Sequence, residues 1–371
     1  MKKTIAVLGL GAMGQLIFKD LAKTYRGKIF LIGRDVKKLK KISKDKAEVR
    51  KADVNDIASL VKAFQGIDVV IHAVHHEYNL NVMVACLKSG TNYLDLGGLY
   101  HYTKKQLQLN QTFHQAGLTA VLGIGAAPGI TNVIAGYGSR LLDTIENVEI
   151  KIGNIDKSTY LQSSPLSNTY SIQTILEEFS WKPAVFINGQ MHFIEPLSDR
   201  EDYPFPKPVG SKKVQSTIHS ELATLPYSLK AKNVSFKIAF NDDFVYKIKI
   251  LDKLGFLSED KTKEITTEIL KQLPKAVPEK IEQYEIIRVI LEGKKSGVKK
   301  IINLDVHVKG ENETIDKDTS VPASIAAQMI AKGKITKKGV FPPELIIPEN
   351  DFFKELSKRD IIVFLNQKVM L

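Results

Sequence analysis

The chain contains one cysteine, Cys86, and one tryptophan in 371 residues. A single thiol excludes an internal disulfide and leaves no cysteine set for a structural zinc site. No apolar run approaches the roughly 20 residues that a membrane helix needs, so no membrane partner is expected. There is no internal repeat and no long low-complexity linker. With 43% apolar and 25% charged residues, the composition is that of an ordinary globular chain. Together these features predict a cytoplasmic protein long enough to bury two cores.

Positive charge is in surplus, at +12. The lysines gather in residues 37–46, 293–300 and 333–339. Aromatic residues do not interleave them as a base-stacking surface would require, so they read as solvated faces and no nucleic-acid partner is expected. A positive field does favour an anionic cofactor.

Residues 1–125 alternate short apolar strands (4–9, 29–33, 48–53, 68–73, 92–97, 119–124) with amphipathic helices. Gly66, Gly90 and Gly117 follow helices where left-handed C-caps belong. This rhythm predicts an α/β, doubly wound parallel sheet of the Rossmann type. Beyond about residue 133, period-two segments at 148–153, 184–193, 234–240 and 244–250, and a lysine-tipped hairpin over 284–310, predict a second, antiparallel α+β substrate domain. The expected division is 1–125, completed by 316–371, against 126–315.

"GLGAMG" at 9–14 follows the first strand and opens the first helix. In that context Gly9 permits a tight turn, Gly11 lets the backbone approach a pyrophosphate, and Gly14 lets helix pack on strand. The amides at Ala12 and Met13 then offer donors to phosphate. At the end of the second strand, where an NAD site would place an acid, stand Gly33 and Arg34. A guanidinium there clamps a 2′-phosphate, which favours NADP. Asp35, one position on, is the ribose acceptor of the alternative, NAD. Asp53, after the third strand, is a candidate contact to the adenine, or a helix cap.

"GLGAMG", "YLDLGG" (93–98), "GAAPGITN" (125–132) and "ITKKGVFPPELIIP" (335–348), in this order, resemble the saccharopine dehydrogenase family, with its lysine 6-dehydrogenase branch nearest. The similarity extends through "NTYSIQTILEEF" (168–179) and "HSELATLP" (219–226). It implies a nicotinamide domain, an α+β substrate domain, a homodimer built through the second domain, and oxidation of an amine on an amino acid such as lysine. Reductive formation of a saccharopine- or carboxynorspermidine-type secondary amine is the alternative, and a non-catalytic NADP sensor is a third reading.

In a doubly wound sheet, ligands lie beyond the carboxyl ends of the strands. Ala73, Val74, Gly97 and Pro128 are therefore candidate cofactor contacts, and the small residues at 125–130 read as clearance for the nicotinamide, with Gly129 beside the ring. Amine oxidation needs a general base with a pKa near the working pH. Asp95, His76 and His219 are the candidates, while His75, Tyr78, Asn132, Tyr170 and Ser171 are candidate substrate contacts. His72, His75 and His76 have no ligand spacing that would hold a metal, and none is expected.

Overall fold

The computed structural model describes residues 3–166, 171–258, 260–311 and 313–370. These form two compact units.

The first unit comprises residues up to Tyr137 together with Lys317–Arg359. Its strands are β1 (Thr4–Leu8), β2 (Lys28–Gly33), β3 (Glu48–Lys51), β4 (Val69–His72), β5 (Asn92–Asp95) and β6 (Thr119–Val121). With the late strand Gly339–Phe341 they make one sheet in the order Gly339–Phe341, β6, β5, β4, β1, β2, β3. Every pairing in it is parallel, and strand order reverses between β1 and β4. This is the doubly wound arrangement, and its switch point lies where β1 and β4 end together, at Leu8 and His72.

Among the helices of this unit are α1 (Ala12–Thr24), α2 (Val36–Ser43), α3 (Ile57–Phe64), α4 (Asn79–Ser89), α5 (Leu99–Leu107) and α6, which begins at Ile130. On one face of the sheet, Leu60, Phe64, Val82, Met83 and Cys86 of α3 and α4 bury Ala6, Leu8, Val70 and Tyr93. On α1 lies α7 (Lys317–Ala331), where Ser324 Oγ donates to Asp20 at 2.5 Å and Gln328 Nε2 donates to Thr24 at 2.8 Å. Arg359 also holds Asp20, with Nε at 2.7 Å.

The second unit comprises Gly138–Asp316 and Asp360–Met370. The unit boundaries therefore differ from those expected: Gly138 rather than residue 126 opens it, and the terminal segment after Asp360 belongs to its sheet. Its principal strands are β7 (Thr144–Asp156), β8 (Ser211–Ser216), β9 (Asn233–Ala239), β10 (Glu282–Lys295), β11 (Val298–Glu311) and β12 (Ile361–Leu365). The central order is β9, β7, β10, β11, β12, with β8 on β9. The lysine-tipped segment is the hairpin β10–β11. One pair, β7 with β9, runs parallel, so the sheet is mixed rather than wholly antiparallel.

Residues 244–250 are not a strand. They lie in α9 (Asp242–Lys253), after α8 (Ile172–Ser180). Asn241 caps α9 by accepting the Asp243 amide at 2.9 Å, and Phe244, Val245 and Ile248 form its buried face. The alternation of "FVYKIKI" suits a strand, but a cap followed by apolar residues at i, i+1 and i+4 suits a helix and prevails. Among the described residues no helix is long and apolar enough to cross a membrane.

Candidate active site

The first unit presents a nucleotide cradle at the switch point. Gly9 has φ +90° and lies so close to the end of β4 that a Cβ would meet Val74 Cγ2 at 2.4 Å and the Ala73 carbonyl at 2.9 Å. At Gly14 a Cβ would meet the Gly9 carbonyl at 1.9 Å, which fixes α1 against the turn. Gly11 differs: nothing lies within 4 Å of the space a side chain would fill. That open space over the first amides of α1 is what a pyrophosphate needs. Ala12 and Met13 begin the helix, and Ala73 and Val74 wall the turn.

At the other end of the cradle, Asp35 accepts the Lys38 amide at 3.0 Å and caps α2. One of its oxygens is thereby engaged at a helix end. Arg34 is exposed beside it. Asp53 does not cap α3; Asp56 does, accepting the Ala58 and Ser59 amides. Asp53 instead accepts the Asn55 amide, and that bond, with the charge of Arg34, holds its carboxyl below the usual range. The open glycine loop and the exposed guanidinium at the end of β2 fit a dinucleotide bearing a 2′-phosphate.

Asp95 is not disposed as a base. It is 1% exposed, and its oxygens accept Tyr93 Oη at 2.7 Å, Gln106 Nε2 at 2.6 Å, the Gly123 amide at 2.6 Å and the Gly97 amide at 3.0 Å. Burial raises its pKa against those donors. Asp95 therefore ties together the ends of β5 and β6, and Gly97 (φ +134°) turns the chain around it. Asn79 extends the network, donating to the Gly97 carbonyl at 3.2 Å and to Gln106 Oε1 at 3.1 Å. Sequence reasoning missed Tyr93, Gln106 and Asn79, because their partnership exists only in three dimensions.

Asn132 is likewise committed. Its Oδ1 accepts the Gly129 amide at 3.1 Å, and its Nδ2 donates to Glu344 at 2.9 Å. The loop before it is closed on itself: the Gly125 amide donates to the Pro128 carbonyl at 2.7 Å, and a Cβ on Gly129 would meet the Gly125 oxygen at 2.1 Å. The bareness of "GAAPGITN" thus serves an approach of backbone to backbone, not clearance beside Gly129 for a ring.

Between β4 and α4, His76 is buried, with its ring 4.0 Å from that of His75 and 4.9 Å from that of Tyr102. His75 Nδ1 faces the Glu77 carboxylate at 3.5 Å, and Tyr78 precedes α4. His72, on the core face, is 1% exposed. Burial lowers its pKa to about 3, against the opposing influence of the His75 backbone and the Asn79 side chain.

The second unit holds a buried cluster around His219. His219 stacks on Phe236 with ring centroids 3.7 Å apart. Its Nδ1 lies 2.8 Å from Glu221 Oε2, and its Nε2 lies 3.8 Å from Glu178 Oε1 on α8. Burial opposes the charged imidazole, but the Glu221 and Glu178 carboxylates outweigh it and hold the pKa above its ordinary value. Ser171 caps α8, accepting the Thr174 amide at 3.4 Å. Tyr170 lies outside the described residues. Glu178 and Glu221 were visible in "LEEF" and "HSEL", but nothing in the sequence marked them as partners of one histidine.

Two family profiles match the chain: the saccharopine dehydrogenase NADP binding domain over residues 5–121, and the saccharopine dehydrogenase C-terminal domain over residues 125–362. Carboxynorspermidine synthase of Vibrio alginolyticus is 27% identical, over 93% of this chain and 92% of that protein. Carboxyaminopropylagmatine dehydrogenase of Synechocystis sp. is 25% identical, over 93% of each. Among solved structures, apo saccharopine dehydrogenase (L-Glu forming) from Saccharomyces cerevisiae shares the fold, with a TM-score of 0.75, 16% identity and 100% of both chains covered.

Proposed function

The chain belongs to the saccharopine dehydrogenase family, and from that premise we propose that it joins a carboxylated aldehyde to a linear diamine by reductive condensation, giving a secondary amine. At the family level it is an NADP-binding oxidoreductase. The finer reading is supported by two relatives aligned over nearly their whole length, whose names describe carboxyl-bearing amines.

The observation that carries it is the buried imidazole of His219, held above its ordinary pKa between two carboxylates. The two carboxylates favour the charged imidazole, which suits a proton transfer to the hydroxyl that leaves when amine and aldehyde condense. Water departs with that proton, an imine remains, and the imidazole is recharged by the proton that the incoming ammonium loses. NADPH, when bound, supplies the hydride that reduces the imine carbon. Overall, aldehyde, ammonium and NADPH give secondary amine, water and NADP+. In this reading the amides following Gly11 hold the pyrophosphate and Arg34 holds the 2′-phosphate.

Oxidative deamination of lysine, which the sequence motifs favour, is the corresponding oxidation of a primary amine. The name of the Vibrio relative, a synthase, supports the condensing direction instead. A panel of NADPH oxidation assays separates the two. Consumption that requires both aspartate semialdehyde and a diamine is expected. NADP reduction by lysine alone, with no condensation, would contradict the proposal.

A further inference from the structure

Two helices of the second unit carry apolar residues on their outer faces. Along α9 the exposed stripe is Tyr246, Lys249, Ile250, Lys253 and Leu254. Their spacing is that of one helix face. The opposite face, Phe244, Val245 and Ile248, is already buried with Ile172, Ile175, Leu176 and Phe179 of α8. The alternation in "FVYKIKI" thus puts apolar residues on both sides of one helix. Helix α10 (Asp260–Leu270), also packed on α8, is reversed outright. It buries Lys263, Thr266 and Thr267, while Ile265 and Ile269 are exposed with Glu264 and Glu268 beside them.

The five outward apolar side chains range from 39% exposed at Ile250 to 66% at Leu254. A protein surface tolerates such residues singly, whereas rows of them mark a surface that is covered. The charges in the two rows say by what. Lys249 and Lys253 precede Ile250 and Leu254, and Glu264 and Glu268 precede Ile265 and Ile269. Each charged pair is four residues apart, about 6 Å of helix rise, so the rows are opposite in sign and equal in spacing. Among the described residues Lys249, Lys253 and Glu264 form no ion pair, and Glu268 meets only Lys271, at 2.6 Å on the exposed surface.

We propose that a second copy of this chain covers both rows, α9 of each copy lying antiparallel against α10 of the other. In both rows the charge immediately precedes the apolar residue, so it flanks the seam on the same side. Two such flanks meet when the helices run antiparallel. That register pairs Lys249 with Glu268 and Lys253 with Glu264 of the second copy, and sets Ile250 and Leu254 against Ile265 and Ile269. A two-fold axis repeats the seam, and like charges disfavour α9 on α9 or α10 on α10. An anionic membrane would suit the lysines of α9 but not the glutamates of α10. The seam is made of helices alone and does not depend on the condensation reading.

The test is a charge exchange, read by sedimentation velocity on the full-length protein. Lys249→Glu with Lys253→Glu makes both rows acidic, and Glu264→Lys with Glu268→Lys makes both basic. All four side chains are exposed, so both double variants should keep the wild-type circular dichroism spectrum. Each alone is expected to sediment at half the wild-type mass, with self-association at least tenfold weaker. Mixed in equal amounts they should recover the wild-type mass, because each row then meets its opposite. Leu254→Asp, which spoils the apolar seam without touching the charged pairs, should also halve the mass. Variants that keep the wild-type mass, or a mixture no heavier than its components, would overturn the seam. So would a wild-type monomer at micromolar concentration, and its binding to phosphatidylserine vesicles would assign the rows to a membrane instead.

Discussion

Asn132 donates to Glu344 at 2.9 Å across 212 positions of sequence, while its own carbonyl oxygen accepts the Gly129 amide. One side chain thus fastens the loop at 125–132 to the late segment of the first unit. Asn132→Ala should cost about 1–3 kcal/mol in denaturant unfolding, because it leaves a buried amide and a buried carboxylate short of a partner. Asn132→Asp should cost more at neutral pH, where it sets one carboxylate against another, and should recover as acid returns a proton to the pair. Equal melting of all three proteins would show that the link does not matter.

Two glycines should fail in opposite ways. Gly129 has φ +135° and no room for a Cβ, so Gly129→Ala should lose about 1–3 kcal/mol or more of stability. Gly11 has φ −71° and open space, so Gly11→Val should melt like the wild type but lose NADP binding. Thermal melts with and without NADP distinguish the two. A Gly11→Val protein that still gains stability from NADP would mean the pyrophosphate lies elsewhere.

Arg34 stands exposed next to Asp35, the cap of α2. Arg34→Ala should weaken NADP by about 10–100-fold, the equivalent of ~1.5–3 kcal/mol for a charge-assisted contact, and spare NAD. Fluorescence titration with both nucleotides measures this, and equal losses would refute the clamp.

The nucleotide half was legible in the sequence because its function depends on local backbone. Gly9, Gly11 and Gly14 are spaced by the turn itself, and the strand–helix rhythm specifies the parallel sheet. The tertiary partners were not legible. Asp95 looked like a base because a carboxylate at a strand end can be one, until Tyr93, Gln106, Gly97 and Gly123 occupy its oxygens. Residues 244–250 alternated like a strand, but the cap at Asn241 outweighed the alternation.

His72 should make the protein acid-sensitive above the carboxylate range. Its folded pKa is near 3, against an ordinary 6.5, because burial disfavours the charged ring. The unfolded chain then takes up the proton first, so the stability due to the neutral ring is complete above pH 6.5 and declines as pH falls toward 3. The slope is about 1.4 kcal/mol per pH unit for one proton. Urea unfolding from pH 7 to about pH 5 should show this slope in the wild type and lose it in His72→Leu. Parallel profiles would place the sensitivity elsewhere.

The central claim is that hydride reaches a carbon bound to nitrogen. Supplying NADPH deuterated at the transferring position, with aspartate semialdehyde and 1,4-diaminobutane, and reading the products by mass spectrometry tests it directly. The account predicts a secondary amine carrying a single deuterium on the carbon that was the aldehyde. Deuterium found only in the alcohol from that aldehyde, or no label transfer in the presence of both reactants, would contradict it.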